Sequence, residues 1–97
     1  MKTLFESDRY KDIEGTNLPR FANERIIISL LSMGLKHVRI EAEEKQISFL
    51  FVKPEINEFI NKILSGDKIE VELSKVFEAY ETWKAALLMM KIKRQEN

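Results

Sequence analysis

Residues 73–94 read Leu73-Ser-Lys-Val-Phe-Glu-Ala-Tyr-Glu-Thr-Trp-Lys-Ala-Ala-Leu-Leu-Met-Met-Lys-Ile-Lys-Arg94. Leu73, Val76, Tyr80, Trp83, Leu87 and Met90 recur at spacings of three and four, the repeat of one helical face. At 1.5 Å per residue a helix over this run is roughly 33 Å long. A compact chain of 97 residues has a radius of gyration of about 12 Å, so such a helix spans the body and the other elements pack along it.

The run changes character along its length. In its first half Val76, Phe77, Tyr80 and Trp83 share one side, and Lys75, Glu78, Glu81 and Thr82 the other, as in an amphipathic helix lying on its own core. From Ala85 to Met90 every residue is apolar, and Ile92 extends the run. Leu87 and Met90 continue the first face, whereas Leu88, Met89 and Ile92 point away from it. A segment apolar on all sides is normally covered on all sides. Each large side chain left in water forgoes about 1.5–3 kcal/mol. Two coverings compete: the chain's own N-terminal arm or hairpin, and a homodimer or other protein partner that meets Leu88, Met89 and Ile92. The stripe is too short for a long coiled coil.

Working back from the helix, Pro54 and Glu55 open a shorter one, Ile56, Phe59, Ile60, Ile63 and Leu64 form its apolar stripe, and Gly66 ends it. Ile69 and Val71 alternate with charges, as a short strand or an extended crossing before Ser74 caps the long helix. Two strands precede these elements. In 36–42, Val38, Ile40 and Ala42 alternate with Arg39 and Glu41; in 46–52, Ile47, Phe49 and Phe51 make the apolar face. Leu50 and Val52 add apolar groups on the second strand's other side, which predicts a more central place for it. The tip Glu43-Glu44-Lys45 lacks Gly and Asn, so a four- or five-residue loop is expected.

A first helix is expected over about 20–33, with Asn17 or Asn23 as N-cap, Pro19 near its start and Gly34 as its stop. Residues 1–18 read as a mobile arm or an edge strand, with Leu4 and Phe5 as anchors and Gly15-Thr-Asn17 as a turn. The sum is a single α+β domain over 1–97: a small, mainly antiparallel sheet built on a central hairpin, three helices, and the order (β)-α-β-β-α-(β)-α.

Hydrophobic residues at 44% and charged residues at 33% describe a globular chain. Sixteen basic and sixteen acidic residues cancel, so net charge favours no polyanionic partner. With no cysteine, disulfides, thiolate metal sites and cysteine nucleophiles are excluded. No apolar stretch reaches the length of a membrane span, and charges from Glu6 onward replace the apolar core of a signal peptide. A cytoplasmic setting is expected, without a membrane.

The residues offer little chemistry. His37 is the only histidine and has no second metal ligand beside it; it reads as a surface or half-buried strand residue opposite Val38 and Ile40. Glu43-Glu44-Lys45 echoes the acidic-x-Lys element of metal-dependent nucleases, but it sits on a hairpin tip, where it reads as solvated charge. The three glycines stand alone, so no phosphate cradle exists, and no serine occupies a nucleophile elbow. No catalytic, metal, cofactor or small-molecule site is therefore expected. Lys84, Lys91, Lys93 and Arg94 complement the negative end of the helix dipole. With Arg20, Arg25 and Arg39 they carry the alternative reading, a nucleic-acid contact centred on Lys91, Lys93 and Arg94, although no aromatic platform interleaves with them.

Taken together, the Phe5-Glu-Ser7 start, the apolar helix ending Leu30-Leu-Ser-Met-Gly34, the strand Ile47-x-Phe-x-Phe51, the short helix ending Ser65-Gly66, Ile69-x-Val71 and the closing helix form a pattern. It resembles a family of small domains of unknown function found in phages, integrated elements, bacteria and archaea. The resemblance covers most of the chain, with Asp8 to Leu18 as an insertion. It implies a mobile-element setting and no known activity; small phage proteins of similar size include inhibitors of host defence systems. The expected role is a non-catalytic protein-interaction module, a phage or mobile-element accessory or inhibitor protein, acting through its C-terminal helix.

Overall fold

A computed structural model of the chain describes residues 2–13, 18–66 and 68–95, with backbone only at 63 and 93–95. The elements run β1 (Lys2–Glu6), α1 (Tyr10–Ile13), β2 (Arg20–Phe21), α2 (Glu24–Ser32), β3 (Arg39–Glu43), β4 (Gln46–Leu50), α3 (Lys53–Leu64) and α4 (Leu73–Gln95). The fold is α+β. Its four-stranded sheet is antiparallel throughout, in the order β1-β3-β4-β2.

The hairpin forms the middle of the sheet because β3 and β4 both bury side chains on both faces. Ile40 lies opposite Phe49 and Ala42 opposite Ile47, so one face is continuously apolar. The connection is tighter than the charged tip suggests. Glu43 pairs with Gln46, leaving only Glu44 and Lys45 to turn the chain, and Glu44 takes a φ of 32° to do so. The N-terminal segment is an ordered edge strand: Lys2–Glu6 pairs with β3, with a bulge between Thr3 and Phe5. The bulge lets Leu4 enter the core while Phe5 stands opposite Ile40.

The first expected helix is shorter than its apolar pattern. It begins at Glu24, where the Asn23 side chain accepts a hydrogen bond from the Ile26 amide at 3.1 Å. Arg20 and Phe21 instead form the opposite edge strand, and Pro19 serves it: its carbonyl accepts the Phe51 amide at 3.0 Å. Asn17 and the expected turn at 15–17 lie outside the described residues. Gly34, at φ 91°, ends the first large helix as expected. In α3, Ile56 and Phe59 are buried, but Ile60 and Leu64 are exposed, so only its first half lies on the core. Ile63 of that expected stripe lies outside the described side chains. Ile69 and Val71 form no strand; they belong to the extended crossing.

The core is one cluster. Leu4, Ile40, Ala42, Ile47, Phe49 and Phe51 from the sheet side meet Ile27 and Leu30 of α2, Ile56 and Phe59 of α3, and Trp83, Ala86 and Met90 of α4. The Phe49 and Trp83 ring centroids are 6.1 Å apart at the centre of this contact. Helix α4 starts two residues earlier than a Ser74 cap requires, because the Glu72 carbonyl already accepts the amides of Lys75 and Val76. Its buried face is also turned. Ala79, Trp83, Ala86 and Met90 point inward, while Leu73, Phe77 and Tyr80, read as core from their spacing, are exposed. The shift amounts to roughly 50° of helix rotation. Two of the four residues on the buried face are alanines, Ala79 and Ala86, so the face that meets the core is less bulky than the exposed one, and α2 is the helix α4 packs against.

A candidate protein-docking surface

Once Ala79, Trp83, Ala86 and Met90 define the inner face of α4, the outer face follows from helix geometry. Leu73, Phe77, Tyr80, Lys84, Leu88 and Ile92 cluster roughly 140° around the axis from it. Leu73, Phe77, Leu88 and Ile92 are 67%, 60%, 59% and 47% exposed. Helix α4 therefore carries two apolar stripes, one packed and one bare. Neither the N-terminal strand nor the hairpin covers the second, since Leu88 and Ile92 stay exposed with both elements ordered elsewhere.

Met89, grouped with Leu88 and Ile92 from the sequence, is exposed as well but lies on the other flank of the helix, about 100° from Leu88. The residues missing from the expected surface are Leu73, Phe77 and Tyr80. Their signal was present in the spacing of three and four, and it was assigned to the core because the second apolar stripe there is as regular as the first. A shallow groove lined by Glu81, Lys84, Ala85, Leu87, Leu88 and Lys91 runs along the second half of the stripe. The Lys84 ammonium lies 5.4 Å from the centre of the Tyr80 ring, so its stem covers part of the apolar row.

Lys91 is exposed at the basic end; the side chains of Lys93 and Arg94 lie outside those described. Arg20 and Arg39, two further cations of the nucleic-acid reading, are engaged elsewhere. On the sheet face away from the core, Arg20 Nη2 donates to Glu41 Oε1 at 2.5 Å, and Arg39 Nε stands 2.8 Å from Glu41 Oε2 as an ion pair without hydrogen-bond alignment. Arg39 also donates to Glu6 at 3.0 Å and to Thr3 Oγ1 at 2.5 Å, beneath the Tyr10 ring. Ser48 stands directly opposite Glu41, and its small side chain leaves room for the Arg20 arm to cross β4. The network stitches three strands together.

His37 precedes β3 rather than lying in it. Its ring sits 5.0 Å from both Phe5 and Phe49, on the side of the core aromatics rather than opposite them. Burial lowers its pKa below the ordinary 6.5, and its Nδ1 has no hydrogen-bond partner among the described residues. A hollow of about 400 Å³ opens beside it, walled by Phe5, Leu31, Leu35 and Ala79. Glu43, Glu44 and Lys45 are exposed at the hairpin tip. Among the described residues no group of three His, Asp or Glu side chains is placed to hold a metal ion, and no helix is long and apolar enough to cross a membrane. No family model, curated protein or solved structure matches the chain.

Proposed function

We propose that this chain is a non-catalytic protein-interaction module that self-associates through the outer face of α4. The observation that carries the reading is the second apolar stripe, Leu73, Phe77, Tyr80, Leu88 and Ile92, on a helix already anchored by its first. Covering five large side chains gives a driving force that no charged surface of this neutral chain matches. Two copies of the stripe bury on the order of 1,000 Å², near the lower bound for specific interfaces, so the dimer dissociates on dilution. The resemblance to phage and mobile-element domains supports an accessory or inhibitory role in that setting.

Light scattering over a dilution series tests the reading. The native chain is expected to pass from dimer to monomer, and Leu88→Asp to stay monomeric throughout. A native monomer at every concentration ends it. Salt-dependent retention on DNA, lost on replacing Lys91, Lys93 and Arg94, would favour the nucleic-acid alternative instead.

A further inference from the structure

Resting on that reading, we infer how the second copy sits: antiparallel to the first, with residue i of one α4 facing residue 165−i of the other. Four of the stripe's five large residues map onto one another when its direction is reversed, and the fifth, Tyr80, meets the small Ala85. In this register Leu73 faces Ile92, Phe77 faces Leu88 and Glu81 faces Lys84, each twice around a two-fold axis passing between Thr82 and Trp83. Bulk meets bulk at both ends of the contact, and opposite charges meet near its centre. Slipping either helix by one residue rotates the facing positions by 100° and destroys all three matches.

Charge selects this direction over the parallel one. A parallel pair in register sets Glu81 on Glu81 and Lys84 on Lys84, and aligns both helix dipoles. It also stacks the acidic ends, Glu70 and Glu72, on one another and Lys91 on Lys91. Reversal replaces the Glu81 and Lys84 meetings by Glu81 on Lys84, sets Lys91 across from Ser74, two positions from Glu72, and opposes the two helix dipoles. The antiparallel dimer therefore brings Lys91 of each copy toward the acidic approach to the other's α4, which withdraws that basic end from polyanions.

Single-cysteine variants test the arrangement, because the native chain has no cysteine. Phe77→Cys and Leu88→Cys proteins mixed and mildly oxidised are expected to form the mixed disulfide dimer, while each alone cross-links at least tenfold less. In the antiparallel register two copies of position 77 lie about 16 Å apart along the axis, beyond disulfide reach. Cross-linking of each variant with itself would overturn the antiparallel register. Glu81→Lys is expected to weaken the native dimer roughly tenfold or more, and Glu81→Lys with Lys84→Glu to restore it. A dimer seen by light scattering whose charge swap fails to restore it would sink the register while leaving self-association standing. A native chain that never dimerises would remove both.

Discussion

Arg20 reaches across β4 to hold Glu41, a residue 21 positions away in sequence whose side chain is 8% exposed, on the sheet face that also carries Leu50, opposite the main core. Glu41 also faces Arg39, so its buried charge is compensated from two sides. Replacing Arg39 by Met leaves Arg20 in place and is expected to cost roughly 2–3 kcal/mol, somewhat less than the 3–5 typical of fully breaking a buried pair. Urea unfolding of Arg39→Met, and of the double variant Arg39→Met with Glu41→Met, measures this. The double variant should recover most of the loss, because no charge is then stranded.

The two faces of α4 should answer differently to substitution. Ala86 is buried against the core, so Ala86→Leu overpacks it and is expected to cost about 1–3 kcal/mol. Leu88→Asp, on the bare stripe, should leave the unfolding midpoint of the isolated monomer within about 0.5 kcal/mol of native. Thermal melts at dilute concentration compare them; equal losses would contradict the assignment of faces.

Glu44 turns the hairpin at φ 32°, a conformation that side chains with a Cβ adopt at a cost. Glu44→Gly relieves that cost and is expected to stabilise the fold by about 0.5–1 kcal/mol. Denaturant midpoints decide this, and a destabilised Glu44→Gly protein would refute it.

His37 makes stability fall in mild acid. The unfolded chain binds a proton near the ordinary 6.5, whereas burial lowers the folded value, so protonation favours unfolding. The contribution is complete above about pH 6.5 and is lost as the pH drops through that value toward the folded one. His37→Phe should flatten the slope of stability between pH 7 and 5.5. Identical slopes for the two proteins would show that the imidazole does not carry it.

The elements were largely legible in the sequence and their rotations were not. Gly34 and Gly66 marked helix ends because both positions take a positive φ. The hairpin was legible because Ile40, Ala42, Ile47 and Phe49 alternate strictly. The Arg20–Phe21 edge strand was hidden: two residues are too few for a periodicity, and the pairing that defines it lies far along the chain, at Phe49 and Leu50. The buried face of α4 was misplaced because pattern reading weighs large side chains, whereas half of the inward residues are the small Ala79 and Ala86. That misplacement also concealed Leu73, Phe77 and Tyr80 as surface residues, so the docking face was foreseen only at its Leu88 and Ile92 end.

Strand order carries one more consequence. Both outer strands come from the first 21 residues, yet they flank a hairpin that begins only at Arg39. The amino-terminal stretch thus closes both sides of a ribbon it precedes in synthesis. Clipping it by limited proteolysis would strip the two guards together and leave a naked two-stranded template, open to recruiting further chains edge to edge.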